Sequence, residues 1–346
     1  MAYTTINKGS SYFNTVLYTG TQTQQTINVG FQPDFVWIKS RSNVQVHALF
    51  DAVRGTSIGA LQSNATAAEN ANQKLVAYTS TGFTLPSVNY EWTNTSGWTF
   101  AAWNWLGANT TTSNTSGTIT STVSANTTSG FSIVSFDLTG QTGVKTVGHG
   151  LGTAPKVVIT KRRSGGAGDW TSYFGAIGNS YLVLNSTAAS ATSANFMNNT
   201  APTSSVFTVG DPTWWSQSPF IAYCFAEVKG YSKFGSYTGN GSADGTFVYT
   251  GFKPAFVIIK QTSSSGEGWE MADDVRSTYN VISTFLRGNS DAAESTNTDR
   301  QFDFLSNGIK MRGSHGSTNG SGATYIYMCF AENPFVTSGG IPVTAR

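Results

Sequence analysis

Gly30-Phe31-Gln32-Pro33-Asp34-Phe35-Val36-Trp37-Ile38-Lys39 is a phrase that the chain repeats. It returns as Gly152-Thr153-Ala154-Pro155-Lys156-Val157-Val158-Ile159-Thr160-Lys161 and as Gly251-Phe252-Lys253-Pro254-Ala255-Phe256-Val257-Ile258-Ile259-Lys260. In each copy Pro and Lys stand six residues apart with an apolar run between them. This is the pattern of a turn feeding a buried strand, because proline at the first residue of a strand withholds no N–H from the ladder. The lysine that closes each phrase is expected in solvent.

A second phrase follows each copy. Ser96-Gly97-Trp98-Thr99-Phe100-Ala101-Ala102-Trp103-Asn104-Trp105 matches Ser218-Pro219-Phe220-Ile221-Ala222-Tyr223-Cys224-Phe225-Ala226-Glu227, and the stretch from Gly322 to Glu332 is the third version. Pro33 to Trp103, Pro155 to Tyr223 and Pro254 to Tyr327 span 70, 68 and 73 residues. Two anchors held at nearly constant separation predict three related units, 1–107, 108–229 and 230–346. Units one and three share more: Asp51-Ala52-Val53-Arg54 with Asp273-Asp274-Val275-Arg276, and Ala67-Ala68-Glu69 with Ala292-Ala293-Glu294. Unit two lacks the Asp-x-Val-Arg element and carries Trp170, Tyr173 and the alternating Tyr181-Leu182-Val183-Leu184.

Within the units the apolar period is two, as in Phe131-Ser132-Ile133-Val134-Ser135-Phe136, bounded by glycine-rich turns. Many short strands with turn signals between them predict an all-β protein of tandem β-sandwich or jelly-roll-like units. Short helices are expected only in the Leu61 to Asn72 and Thr278 to Leu286 regions. The Gly/Ser/Thr/Asn stretch 107–129 reads as a flexible or edge-strand connector, so the loosest hinge is expected after unit one. The tail 337–346 reads as a frayed end or a partner-docking strand.

Charged residues are only 11% of the chain and aromatics 13%, the reverse of a disordered composition. A net charge of +2, spread along the chain, gives no footprint for nucleic acid. Met1 to Lys8 does not read as a basic stretch followed by an apolar run, so no cleaved leader is expected. No stretch approaches the roughly 18 apolar residues of a membrane helix, so no membrane insertion is expected.

Chemistry-bearing residues are sparse. Cys224 and Cys329 hold equivalent positions, where unit one has Asn104, and are expected as buried free thiols in separate cores. His47, His149 and His315 are not equivalent, and no nucleophile elbow accompanies them. Carboxylate pairs suited to glycoside hydrolysis are Asp51 with Glu69, and Asp273 or Asp274 with Glu294. Their recurrence favours a framework role, with ion pairs Asp51–Arg54 and Asp273–Arg276. Gly239 to Gly245 reads as a hairpin turn, since it lacks the closing Glu of a calcium loop and the Gly-Lys-Ser/Thr of a phosphate cradle. No metal site or cofactor is expected. Trp214 and Trp215, in a loop after Asp211-Pro212-Thr213, suit sugar stacking or a protein contact, or else cap the core.

The stretches Gly30 to Arg41, Phe50 to Gly55, Ser218 to Glu227, Lys233 to Gly241 and Phe330 to Phe335 resemble the repeat-bearing structural proteins of marine tailed bacteriophages. The resemblance covers nearly the whole chain and brings no catalytic residues with it. It implies a virion protein assembled in the host cytoplasm, on the particle exterior, as part of a tail fibre or similar appendage. Other virion proteins are the implied partners, with a homo-oligomer, a trimer by expectation, and a host surface glycan or protein. A capsid decoration or cement protein is the alternative, and a polysaccharide depolymerase the second alternative.

Overall fold

The computed structural model describes residues 4–87 and 90–332. The protein is nearly all β, and every pairing between its strands is antiparallel. The Pro-led phrases form the strands Phe35–Ser40, Val157–Arg162 and Pro254–Gln261, and the second phrases form Thr99–Trp105, Pro219–Phe225 and Thr324–Ala331.

Each of the three principal sheets contains the same run of four strands. In the first the order is Phe13–Thr19, Thr99–Trp105, Phe35–Ser40, Ala48–Asp51. The second repeats it with Phe131–Asp137, Pro219–Phe225, Val157–Arg162 and Trp170–Phe174, and the third with Ser232–Thr238, Thr324–Ala331, Pro254–Gln261 and Trp269–Asp273. Smaller sheets lie against the outer face of each: Gln25–Asn28 with Gly82–Leu85 and Ala77–Thr79, then Lys145–Gly148 with Val206–Val209, then Phe247–Tyr249 with Gly308–Met311 and Phe302–Leu305.

The central strands are buried on both faces, which explains their unbroken apolar runs. Val36 and Ile38 point outward into a core shared with Ile27, Phe83 and Leu85 of the small sheet. Phe35 and Trp37 point inward, where they meet Val157, Ile159, Tyr223, Phe256, Ile258 and Met328 in one core common to all three sheets. The inner faces thus close around a pseudo-threefold axis. Trp105, Phe225 and Phe330 hold equivalent register positions, opposite Phe35, Val157 and Phe256. Their rings stand 6.2, 5.8 and 5.9 Å apart, all edge to face, the geometry that aromatic quadrupoles favour.

The register also corrects the alignment of the second phrase. Trp103 and Tyr223 correspond to Met328, since Ile258 faces Met328 where Trp37 faces Trp103, and Tyr327 points into the outer core instead. A register shift between Pro254 and Phe256 accompanies the offset.

Loops stitch the sheets into a ring. Lys161 Nζ donates to Thr66 O at 2.9 Å, and Gly168 N donates to the same carbonyl at 2.8 Å. One step round, Lys260 Nζ and Gly266 N donate to Thr187 O. At the third junction Gln45 N donates to Asp291 O at 2.8 Å. Backbone bonds Glu69 N to Arg163 O, Ser190 N to Thr262 O and Glu294 N to Arg41 O repeat the same joint. The lysines expected in solvent are therefore buried: Lys39, Lys161 and Lys260 all have no exposed surface. Burial pulls each ammonium down to about 8, while backbone carbonyls take the place of water around it.

The expected hinge after unit one is corrected too. Asp34, fully buried, accepts from Gly107 N at 2.8 Å, from Asn109 N and from Ser124 Oγ, and so pins the connector to the first sheet. Within that connector Thr112–Asn114 and Ser121–Asn126 extend the second sheet, the edge-strand reading of this stretch. Neither expected helix forms. Leu61 to Asn72 is irregular, and Thr284–Arg287 is a strand, leaving Ala194–Met197 as the α-helical turn among the described residues. Gly239 to Gly245 is not a hairpin but a crossover between two sheets, its turn held by Asn319 through Asn240, Ser242 and Gly241. The tail 337–346 lies outside the described residues.

Candidate functional site

Two of the sequence-derived sites turn out to be structural joints. Arg54 Nε bonds Asp51 Oδ2, Arg54 N donates to Asp51 Oδ1 at 2.9 Å, and Arg54 NH2 donates to Leu49 O at 2.9 Å. Arg276 repeats this with Asp273 at 2.6 and 2.8 Å and with Met271 O at 3.0 Å. Each carboxylate also reaches the neighbouring sheet. Asp51 Oδ2 accepts from Tyr223 Oη at 2.8 Å, and Asp273 Oδ2 accepts from Trp103 Nε1 at 3.0 Å. At the third junction the equivalent pair is apolar, Phe174 and Met328, both in the common core. Unit two places Phe174 where the others have Asp51 and Asp273, and the residue it meets, Met328, offers no N–H or O–H for a carboxylate to accept.

Glu69 and Glu294 bridge between sheets: Glu69 joins Arg54 to Arg163 at 3.4 and 2.7 Å, and Glu294 joins Arg276 to Arg41 at 3.1 and 2.8 Å. Asp51 and Asp273 are fully buried with their oxygens engaged, an arrangement of framework ion pairs rather than of groups facing a substrate. His47 stands where the other sheets carry Trp170 and Trp269, each of which donates its indole N–H to a carbonyl of the adjacent repeat. His47 does the same through Nε2, 3.0 Å from Arg287 O, while its Nδ1 accepts from Trp37 Nε1 at 2.7 Å. Burial holds it neutral, with its pKa lowered to about 3. His149 is buried, with Nδ1 accepting from Leu151 N, and His315 meets Ser317. Cys224 and Cys329 are free and buried in the separate outer cores. Among the described residues no three of His, Cys, Asp and Glu gather as metal ligands.

The tryptophan pair divides. Trp215 is 3% exposed, part of the second outer core, and donates its indole N–H to Phe196 O at 3.0 Å. It is a core residue, which corrects its reading as a binding residue. Trp214 is 37% exposed, and its ring is braced by Tyr181, Phe196 and Trp215 at 5.8, 6.1 and 6.3 Å. It lines a cleft of about 300 Å³ with Arg162, Asp169, Thr171 and Ser216.

The loop that presents Trp214 is built tightly. Asp211 Oδ1 caps Thr213 N, and Trp215, Ser216 and Gln217 donate back to Asp211, Thr213 and Pro212. Ser216 and Gln217 adopt φ of 74° and 42°, a region that residues with a side chain rarely enter. Such conformations cost of order 1–3 kcal/mol each and persist where surrounding bonds over-determine them. Gln217 Nε2, donating to Gln141 O at 2.7 Å, is one such bond. Across the cleft, Arg162 is pinned by Ser164 O, Ala167 O and Ser218 Oγ. Asp169 Oδ1 accepts from Asn185 Nδ2 at 2.8 Å. Arg162 and Asp169 escaped the sequence reading, since each looks like an ordinary surface charge until the Trp214 loop folds over it.

A second polar spot lies at Asp274, which the sequence offered beside Asp273 as a partner for Glu294. Asp274 borders two hollows of about 270 and 220 Å³, and burial with Glu332 and Asp273 nearby pushes its carboxyl up to about 7. No helix of the described residues is long and apolar enough to cross a membrane. Residues 8–334 match a family described as a domain of unknown function, DUF7483. No curated protein and no solved structure matches the chain.

Proposed function

This chain belongs to the DUF7483 family, and we propose that it is a non-enzymatic structural protein on the exterior of a phage particle, a host-contact module of a tail fibre or similar appendage. The observation that carries the reading is a rigid three-sheet scaffold that presents one braced, exposed tryptophan cleft. Binding residues held on a loop by a stiff framework are how such scaffolds make contacts. The resemblance to repeat-bearing phage proteins supplies the location. Neighbouring virion proteins and a host surface glycan or protein are the partners of this reading. A homotrimer would form through outer surfaces, because the three inner faces are already packed against one another.

A head-decoration role is the second reading, favoured by the pseudo-threefold arrangement, which matches the local threefold positions of a capsid lattice. Polysaccharide cleavage draws no support from Asp51 and Asp273, which are spent inside the core. Immunogold labelling and reconstruction of the intact particle decide between the two and count the copies. Density at the appendage tips is the expected result. Density confined to the head lattice replaces the first reading with the second, and an unlabelled particle overturns both.

A further inference from the structure

We propose that the Trp214 cleft binds a pyranose unit of a neutral, hydroxyl-rich glycan. The inference deepens the host-contact reading above and names the chemical class that the cleft accepts. A pyranose ring carries a face of C–H groups and a rim of hydroxyls. The apolar face packs on an exposed indole, and the rim needs donors and acceptors around it. Trp214 supplies the ring, fixed in place by three aromatic neighbours.

Arg162 and Asp169 supply the rim. Backbone carbonyls at Ser164, Gly165 and Ala167 orient the guanidinium, which has five N–H groups and spends only part of them there. Asp169 gives Oδ1 to Asn185, while Oδ2 has no protein hydrogen-bond donor among the described residues. A hydroxyl can donate to a carboxylate and accept from a guanidinium, so vicinal hydroxyls suit this pair. Both charges line the one cleft. An acidic sugar would meet the Asp169 carboxylate, and a cationic ligand the Arg162 guanidinium, which is why a neutral glycan is favoured.

Size agrees with this class. About 300 Å³ sits at the lower end of the roughly 300–1,000 Å³ that small-molecule sites occupy, room for one or two sugar rings. The strained Ser216 and Gln217 hold the tryptophan over this floor. Gln217 adopts a positive φ where the other two repeats place Gly97 and Gly322, whereas the equivalents of Ser216, Ser96 and Ser321, are not among the positive-φ residues.

The full chain tests the proposal by saturation-transfer NMR and indole fluorescence against methyl gluco-, manno- and galactopyranosides and their linear oligomers. Glucuronic acid and inorganic phosphate serve as acidic comparators. At least one neutral saccharide should bind, with Trp214→Ala weakening it tenfold or more, Trp214→Phe weakening it less, and Asp169→Asn also reducing it. Trp214 is partly exposed, so thermal midpoints near wild type are expected for its variants, and Asp169→Asn gives an independent arm if one misfolds. No binding to any neutral saccharide, equal binding by Trp214→Ala, or preference for the acids would each overturn it. Particle labelling is a separate measurement, so a labelled particle without sugar binding removes this inference and leaves the exterior reading intact.

Discussion

At the scale of single residues, His47 fixes its own protonation state. Its Nδ1 accepts the Trp37 indole N–H, so that nitrogen carries no proton, and adding one would break the bond while placing charge in a sealed site. The native imidazole titrates near 3 and the free one near 6.5. Between those values the unfolded chain binds more protons than the native one, so stability falls as pH drops through this window, by up to roughly 1.4 kcal/mol per pH unit. His47→Gln keeps a donor and an acceptor but does not titrate. Urea midpoints at pH 7 and pH 5 should differ more for wild type than for this variant; equal differences would refute the assignment.

At the scale of elements, each repeat lends a loop to the next. Lys161 is the most heavily committed of the three lysines, donating to Ala65 O, Thr66 O and Gly168 O. Lys161→Met preserves much of the stem but strands buried carbonyls, at about 1–3 kcal/mol for each one left unsatisfied. Thermal or urea unfolding should show that loss; a variant within about 0.5 kcal/mol of wild type would mean that water replaces the ammonium.

The sequence carries the strands of this joint plainly, because Pro-led apolar runs have only one reading. It hides the lysines. A Lys that closes a mostly apolar run looks like the solvated end of a strand, and only the loop arriving from another repeat covers it. The Ala-Ala-Glu echo was visible, but its meaning, a bridge between Arg54 and Arg163, depends on a ring that no local pattern encodes. Trp214 and Trp215 show the same limit. Adjacent in sequence and identical in type, they part only when Phe196 stacks on the second ring and Phe220 meets it edge to face.

At the scale of the whole molecule, three outer cores lean on one inner core. Cutting the chain after residue 107 would expose Trp37, Trp103 and Trp105, which the other two sheets cover. Large apolar surfaces of this kind do not stay monomeric in water. The full chain should therefore melt in one calorimetric transition, with calorimetric and van't Hoff enthalpies in agreement. The fragment 1–107 should aggregate or remain unfolded. Three resolved transitions, or a soluble and cooperatively folded fragment, would show that the repeats are autonomous.

The closed ring within one polypeptide also fixes valency. A true homotrimer repeats every loop three times, whereas a fused ring lets one repeat carry a Trp214 loop while its neighbours keep other surfaces. On the proposed host-contact reading, each chain then grips with one hand. Firm attachment would come from the number of chains displayed and their spacing, since linked weak contacts can gain about 10²–10⁴ in avidity without any new bond.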